Sequence, residues 1–476
     1  MATISSHYFH ENLPLHFAKY LVVLAELLVL SYLVATEDLT PSLFLVIGVV
    51  GLVTIFLVTL ANWPLGAVFV LAAGSAMPKF MGSLFGLHVR PEHISIAFVA
   101  GVILWLAMRG RISVVHHLRS FDYFLIAYIF LNFFTSAFTS PEPRMTLRWA
   151  TMNAIIMLPY FLLRVLVTSE TVFRKAFDIL LWVGAAESVY AIICFLSNRL
   201  FTTKFGMEIG QYGAIPGTYG TQYEPNLLGS YAACCAVMFL TMFFLGDRSR
   251  WHGLGCVVCL LAAAISLARS AIVAFPLVAM VVVWVAFRRG TFQIRKMLPM
   301  LAAAGVLLLI FSPFLLSMLR ERFSTIDLTE ISSDETTAGR LIQMAAAVNN
   351  VQQHPWLGTG TASFQLLFNW QGVLGEDSAG WVSNTPLRIL HDTGVIGFAV
   401  FSLFVGLLIK ATRKLFRLLS PKTKSVFIAL EMGLLLYAIT FQSSEASLLA
   451  FTWVHLGLLA AGLTVAQTEH AATLSR

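Results

Sequence analysis

Long apolar runs, broken at short intervals by polar turns, fill almost the whole chain. A membrane-crossing helix needs about 20 mostly apolar residues. Read with a window of that length, the pattern predicts about fourteen spans. They begin near Leu13, Ser42, Pro64, His93, Phe121, Arg148, Lys175, Asn226, Trp251, Ser270, Met297, Gly394, Ser425 and Ser447. The third is short and contains glycine, and Phe80–Leu87 reads as a re-entrant piece. One stretch, from Met318 to Thr393, breaks the pattern: it is polar and reads as a single large loop. Inside it, Thr336-Thr337 can cap a helix from Ala338 to Gln353, with Leu341, Met344, Ala345, Val348 and Val351 as an apolar stripe at helical spacing. His354-Pro355 ends that helix. The helix is expected to lie on the membrane face, with Arg340 in its first turn.

Composition agrees with the pattern. The chain is 58% hydrophobic and 12% charged, where a soluble domain carries about 25% charged residues. The expected fold is therefore an all-α polytopic membrane protein with one large helical external loop. It divides into an N-terminal bundle (1–200), a central region with an external Gly/Tyr-rich loop (201–318), the large loop (319–393) and C-terminal spans (394–476). Alternate loops are basic: Arg109, Arg111 and Arg119; Arg174 and Lys175; Arg248 and Arg250; Arg288, Arg289, Arg295 and Lys296; then Lys410, Arg413, Lys414, Arg417, Lys422 and Lys424. The loops between them are acidic or mixed, with Glu37-Asp38, Glu142, Glu224 and Glu445. Lysine and arginine favour the cytoplasmic side, so both termini are expected in the cytoplasm and the large loop outside. The net charge of +7 is accounted for by the inner loops, and nothing in it points to nucleic acid. The N-terminus does not read as a cleaved signal peptide. Cys194, Cys234, Cys235, Cys256 and Cys259 lie in apolar runs and read as small packing residues, and no second Cys pair or His set completes a zinc site around Cys256 and Cys259.

Three external positions carry candidate chemistry. Arg269 sits in Ser266-Leu267-Ala268-Arg269-Ser270, a tight turn between two spans. An arginine at membrane depth costs about 2.5–3.5 kcal/mol, so it either snorkels to the headgroups, pairs with a carboxylate or contacts an anion. Arg340 follows a glycine at a helix start and is read either as a solvated helix residue or, with Arg269, as half of a clamp for a diphosphate. Arg320, Arg322 and Arg388 could add to that clamp, although Arg320 and Arg322 could equally pair with Asp327 and Glu330 or bind headgroups. Glu224 closes the Gly217–Asn226 loop and precedes a helix, where the dipole favours a carboxylate. No Asp-x-Asp, Walker loop or His-Glu-x-x-His is present, so neither a metal-held nucleotide sugar, an ATP motor nor a zinc protease is indicated. The intramembrane carboxylates Glu26, Glu187 and Glu431 are scattered, unlike those of an ion-coupled transporter.

Taken in order, Pro225-Asn226-x-x-Gly229, Ser266-x-x-Arg269-Ser270, Gly339-Arg340, His354-Pro355-x-x-Gly358-x-Gly360-x-x-x-Phe364, Asn384 and Gly394-x-x-Gly397 resemble the O-antigen ligase and polymerase family of bacterial envelope glycan enzymes. The resemblance covers roughly the C-terminal half. It implies an inner-membrane transferase that needs no metal or cofactor. Such an enzyme moves a glycan, with inversion, from a polyprenyl diphosphate carrier to an acceptor hydroxyl on a glycan, lipid or protein at the periplasmic face. It also implies that Arg269 and Arg340 grip the donor diphosphate and that the spans hold the polyprenyl tail among membrane lipids. The chain departs from the family at Ser383, where ligases commonly carry a histidine just before the loop asparagine. Serine at its normal pKa is no general base, which leaves Glu224, Glu376, Asp377 and His391 as candidates and favours a polymerase over a ligase. A flippase for lipid-linked glycan and a non-catalytic assembly partner are the alternative readings.

Overall fold

The computed structural model describes residues 63–474 apart from 80–81, 85–86, 113–117, 211–212, 247–249, 294–296, 299–300, 303–304, 307–308, 310–311, 313–334, 369–380, 417–418 and 446–448. The spans expected at Leu13 and Ser42 lie outside the described residues, as do Arg320, Arg322, Asp327, Glu330, Glu376, Asp377 and most of the span expected at Met297. The helices are α1 (Trp63–Ser75), α2 (Pro91–Met108), α3 (Ser120–Phe138), α4 (Pro143–Leu166), α5 (Glu170–Phe201), α6 (Pro225–Leu245), α7 (Arg250–Ile265), α8 (Arg269–Arg288), α9 (Glu335–Gln353), α10 (Phe364–Leu367), α11 (Thr385–Leu415), α12 (Pro421–Thr440) and α13 (Ala450–Leu474). Among the described residues nine helices are long and apolar enough to cross a membrane, and α1 and α7 are shorter apolar helices. These eleven correspond to the eleven expected spans that fall on described residues.

Two short hairpins depart from an all-helical expectation. Gly82–Leu84 (β1) pairs antiparallel with Leu87–Val89 (β2), where a re-entrant piece was expected. Met207–Gly210 (β3) pairs with Gly213–Thr218 (β4), with a register irregularity between Glu208 and Gly210, so the Gly/Tyr-rich loop is built on a hairpin.

Helix α6 forms the centre of the bundle. Every residue of its spanning window is buried, as expected of a helix that is apolar all round, and it packs on α5, α7, α8 and α12. Small residues permit the close approach: Gly184 lies against Cys235, and Gly433 against Cys234 and Met238. All five cysteines are buried and none forms a disulfide. Around this centre, α13 packs on α4 and α5, and α11 on α3.

The helices alternate in direction, so the motif-bearing and the basic segments separate to opposite ends. At one end, Glu92 of α2 accepts from Ala450 N of α13 at 3.0 Å, Thr146 of α4 donates to Ser136 O of α3 at 3.0 Å, and Thr385 N of α11 donates to Phe441 O beyond α12 at 2.9 Å. At the other end, Ser420 donates to Glu170 at 2.7 Å and Ser425 to Leu245 O at 2.6 Å. That second end carries Arg288 and Arg289, Arg413 and Lys414, and Lys422 and Lys424. It also holds a buried ion pair between Asp122 and Arg164, with Tyr160 donating to Asp122 at 2.6 Å and Arg164 donating to Thr464 at 3.1 Å.

Candidate functional site

At the end remote from the basic loops, a broken helix and a polar loop complete one another. Helix α11 is interrupted at Gly394, where φ is +64°. The break removes two i to i−4 bonds, those from Val395 N to His391 O and from Ile396 N to Asp392 O. The His354–Gly360 turn supplies all four replacements. Thr359 N donates to His391 O at 2.9 Å, Gly360 N to Asp392 O at 3.0 Å, Val395 N to Pro355 O at 2.8 Å and Ile396 N to Trp356 O at 3.3 Å. Unpaired backbone groups are costly away from water, so the motif is explained as the backbone patch of a kinked helix. Gly358, with φ +66°, approaches so closely that a Cβ would stand 2.4 Å from His391 O. A Cβ on Gly394 would stand 2.3 Å from the Trp356 carbonyl.

Asp392 is the hub of this junction. It accepts from Ala362 N at 3.0 Å, from Arg388 Nε at 3.4 Å, and meets His391 Nδ1 at 3.1 Å. His391 is buried, with Nε2 3.3 Å from Asn350 Nδ2 of α9 and its ring edge-on to Phe364. Arg388 is 3% exposed, paired with Glu445 at 2.5 Å and stacked over Trp381 at 5.4 Å. Asn384 caps α11, accepting from Leu387 N at 2.8 Å and donating to Gln442 O at 2.9 Å. Ser383 donates to Gln343 Oε1 at 3.1 Å, and the His354 side chain faces solvent.

The loop helix ends at Gln353 before His354-Pro355 as expected, but it begins at Glu335, so Thr336 and Thr337 lie inside its first turn instead of capping it and Arg340 falls in the second turn. Gly339, Gln343 and Ala347 are buried, whereas Leu341 and Val348 of the expected stripe are 51% and 43% exposed. Ala347 packs with Phe364, Phe368 and Val382, and Gln343 accepts the hydrogen bond from Ser383.

Beside this junction the other two motifs converge. The Ser266–Arg269 turn is pinned by Ser266 Oγ, which donates to Ala263 O at 2.7 Å and accepts from Ala268 N at 3.3 Å. Leu267 is held at φ +58°, a left-handed conformation that costs a branched side chain about 1–2 kcal/mol. The turn seats on α6: a Cβ on Gly229 would meet Ala268 Cβ at 2.3 Å and Ser266 Oγ at 2.6 Å. Arg269 is the first residue of α8. The hairpin loop also seats there, because a Cβ on Gly217 would lie 2.8 Å from Pro225 Cγ and 3.8 Å from Ser266 O. From below, Glu187 of α5 accepts from Thr221 N at 2.8 Å and from Thr221 Oγ1 at 2.5 Å. Thr221 N and Oγ1 therefore both point at one carboxylate, and that carboxylate anchors the loop.

Residues 254–402 match the family model for O-antigen ligase. It is this segment, less than half of the chain, that is similar to the O-antigen ligase family. The match takes in α7, the Ser266–Arg269 turn, α9, the His354–Gly360 turn and the Gly394 kink. The Gly217–Asn226 loop lies before it. A comparison with curated proteins gave no match.

Glu224 stands at the meeting point of these elements. It is the N-cap residue of α6, although its side chain does not bond the helix amides. Burial raises its pKa, while Arg340 of the loop helix opposes that rise, helped by a hydrogen bond from Asn226. Glu445 and Lys79 also act on it. Lys79 donates to Tyr223 O at 3.2 Å and lies 4.6 and 5.1 Å from the Tyr219 and Tyr223 ring centroids. Burial lowers its pKa against the pull of Glu208 and Glu224. Sequence reading singled out neither Lys79 nor Glu208. Each is a single polar residue in a loop, and only the hairpin brings them to Glu224.

Proposed function

We propose that this protein is a polytopic membrane glycosyltransferase. It takes a glycan from a polyprenyl diphosphate carrier and transfers it to an acceptor hydroxyl at the periplasmic face, without a metal. The observation that carries the reading is the convergence on Glu224. The turn that begins α8 at Arg269, the loop helix bearing Arg340 and the hairpin loop all meet there, at the end of the bundle opposite the basic loops. Breaking the bond between an anomeric carbon and a diphosphate develops negative charge on the leaving oxygens. Fixed cations at that point stabilise it, and removing one such group costs about 10²–10³-fold in rate. Arginine also offers a planar fork that matches phosphate oxygens. Arg388 is saturated by Glu445 and Asp392, so in this reading it holds the frame while Arg269 and Arg340 hold the donor. His391, in the same buried network, positions the loop against α11. Ser383 in place of a histidine favours a polymerase, whose acceptor is a second lipid-linked glycan.

The test is glycan output from cells carrying Arg269→Lys or Arg340→Lys at matched membrane levels. Loss of polymer with accumulation of single lipid-linked units supports the polymerase reading. Long carrier-bound chains that fail to reach an acceptor support a ligase. Normal output sinks the reading. A lipid-linked glycan flippase is the competing class. The engagement of Glu187 with Thr221 speaks against an ion-coupled carrier, since that carboxylate serves the loop.

A further inference from the structure

We infer that Glu208 is the carboxylate that takes the proton from the acceptor hydroxyl during transfer. This rests on the glycosyltransferase reading above. Glu208 of β3 stands opposite Gly217 of β4 in an antiparallel pair, and side chains of directly opposed residues leave the sheet on the same face. The face of Gly217 is fixed by its neighbours, Pro225 Cγ at 2.8 Å from the Cβ position and Ser266 O at 3.8 Å. The Glu208 side chain therefore leaves the hairpin toward the start of α6 and the turn that ends in Arg269. Its Oε2 is shut off from solvent, and no described group donates a hydrogen bond to it.

The charged and titratable groups around it are Lys79 and Glu224, which act on it directly, and Tyr219 in the same loop. Glu187, Tyr190 and Cys194 of α5 lie behind the hairpin, where Gly220 abuts Glu187 and Gly206 abuts Cys194. Burial pushes the Glu208 carboxyl up, Glu224 pushes it further, and Lys79 restrains the rise, leaving it at about 7. A general base works best with a pKa near the operating pH. Glu224 is less suited because Arg340 and Asn226 already engage it. In the step itself the acceptor hydroxyl forms a new bond to the anomeric carbon and gives its proton to Glu208. The bond from that carbon to the diphosphate breaks, and its electron pair leaves on the phosphate oxygen. Atoms and charge balance without another reagent. Tyr223, 43% exposed, offers an aromatic face beside this point for a sugar ring.

The experiment measures transfer in membrane vesicles from producing cells, charged with their own lipid-linked glycan, over a pH series spanning about 7. The rate of the unaltered protein is expected to rise through that value, because only the deprotonated carboxylate accepts a proton. Glu208→Gln should lower the rate by about 10²–10⁴-fold and abolish the rise, with unchanged protein level and unchanged dependence on donor. Glu208→Asp, which keeps a carboxylate in the same hairpin, should recover part of the rate with a displaced pH profile. Near-normal rate and an unchanged pH profile in Glu208→Gln, while Arg269→Lys and Arg340→Lys abolish transfer, overturns this assignment and leaves the transferase reading standing. Normal transfer in the arginine variants as well overturns both.

Discussion

Replacing Gly358 with alanine tests the claim that the loop motif repairs a broken helix. Gly358 has φ +66°, and an added Cβ would stand 2.4 Å from His391 O and 2.7 Å from both Asp392 C and Gly394 N. All three contacts are backbone atoms, so no side chain can swing aside. The left-handed conformation alone costs about 1–2 kcal/mol for alanine. Relieving the clash separates the turn from α11 and loses at least the Thr359 to His391 and Gly360 to Asp392 bonds, each worth about 0.5–1.5 kcal/mol net. The sum is about 2–5 kcal/mol. Thermal unfolding of the purified full chain in detergent, followed by loss of the monodisperse species, measures it. Gly406→Ala is the control, since that glycine has nothing within 4 Å of its Cβ position and lies inside α11, where alanine is favoured by about 0.5–1 kcal/mol. Gly358→Ala should lower the transition clearly, and Gly406→Ala should leave it equal or raised. Equal stability of the two variants would refute the patch.

Asp122→Asn leaves Arg164, which is 1% exposed, without its carboxylate, and breaking one partner of a buried pair costs about 3–5 kcal/mol. Membrane levels of a fluorescently tagged chain should fall sharply, and a normal level would show that the pair is dispensable. Ser383→Ala removes only the bond to Gln343, worth about 0.5–1.5 kcal/mol. Glycan output should stay within a few-fold, and complete loss would make Ser383 part of the chemistry.

Hydrophobic periodicity alone located the spans on the described residues, because a helix in lipid must satisfy its own backbone and therefore leaves a long continuous signature. Charge alternation sorted the helix ends for the same local reason. Arg269, Arg340 and Glu224 were visible as charged residues outside the apolar runs. What the sequence could not tell was which surfaces meet. The Leu341 and Val348 stripe of α9 was legible as an apolar face, but that Gly339, Gln343 and Ala347 form the face buried in the protein was not. That Arg388 pairs with Glu445, more than fifty residues away, at 2.5 Å was not legible in the sequence. Glu208 carries no local signal, and only the β3–β4 register and the packing of Gly217 on Pro225 aim it at the site. Periodicity is a property of a segment and its solvent. A constellation of side chains is a property of long-range contacts, and those exist only once the bundle has closed.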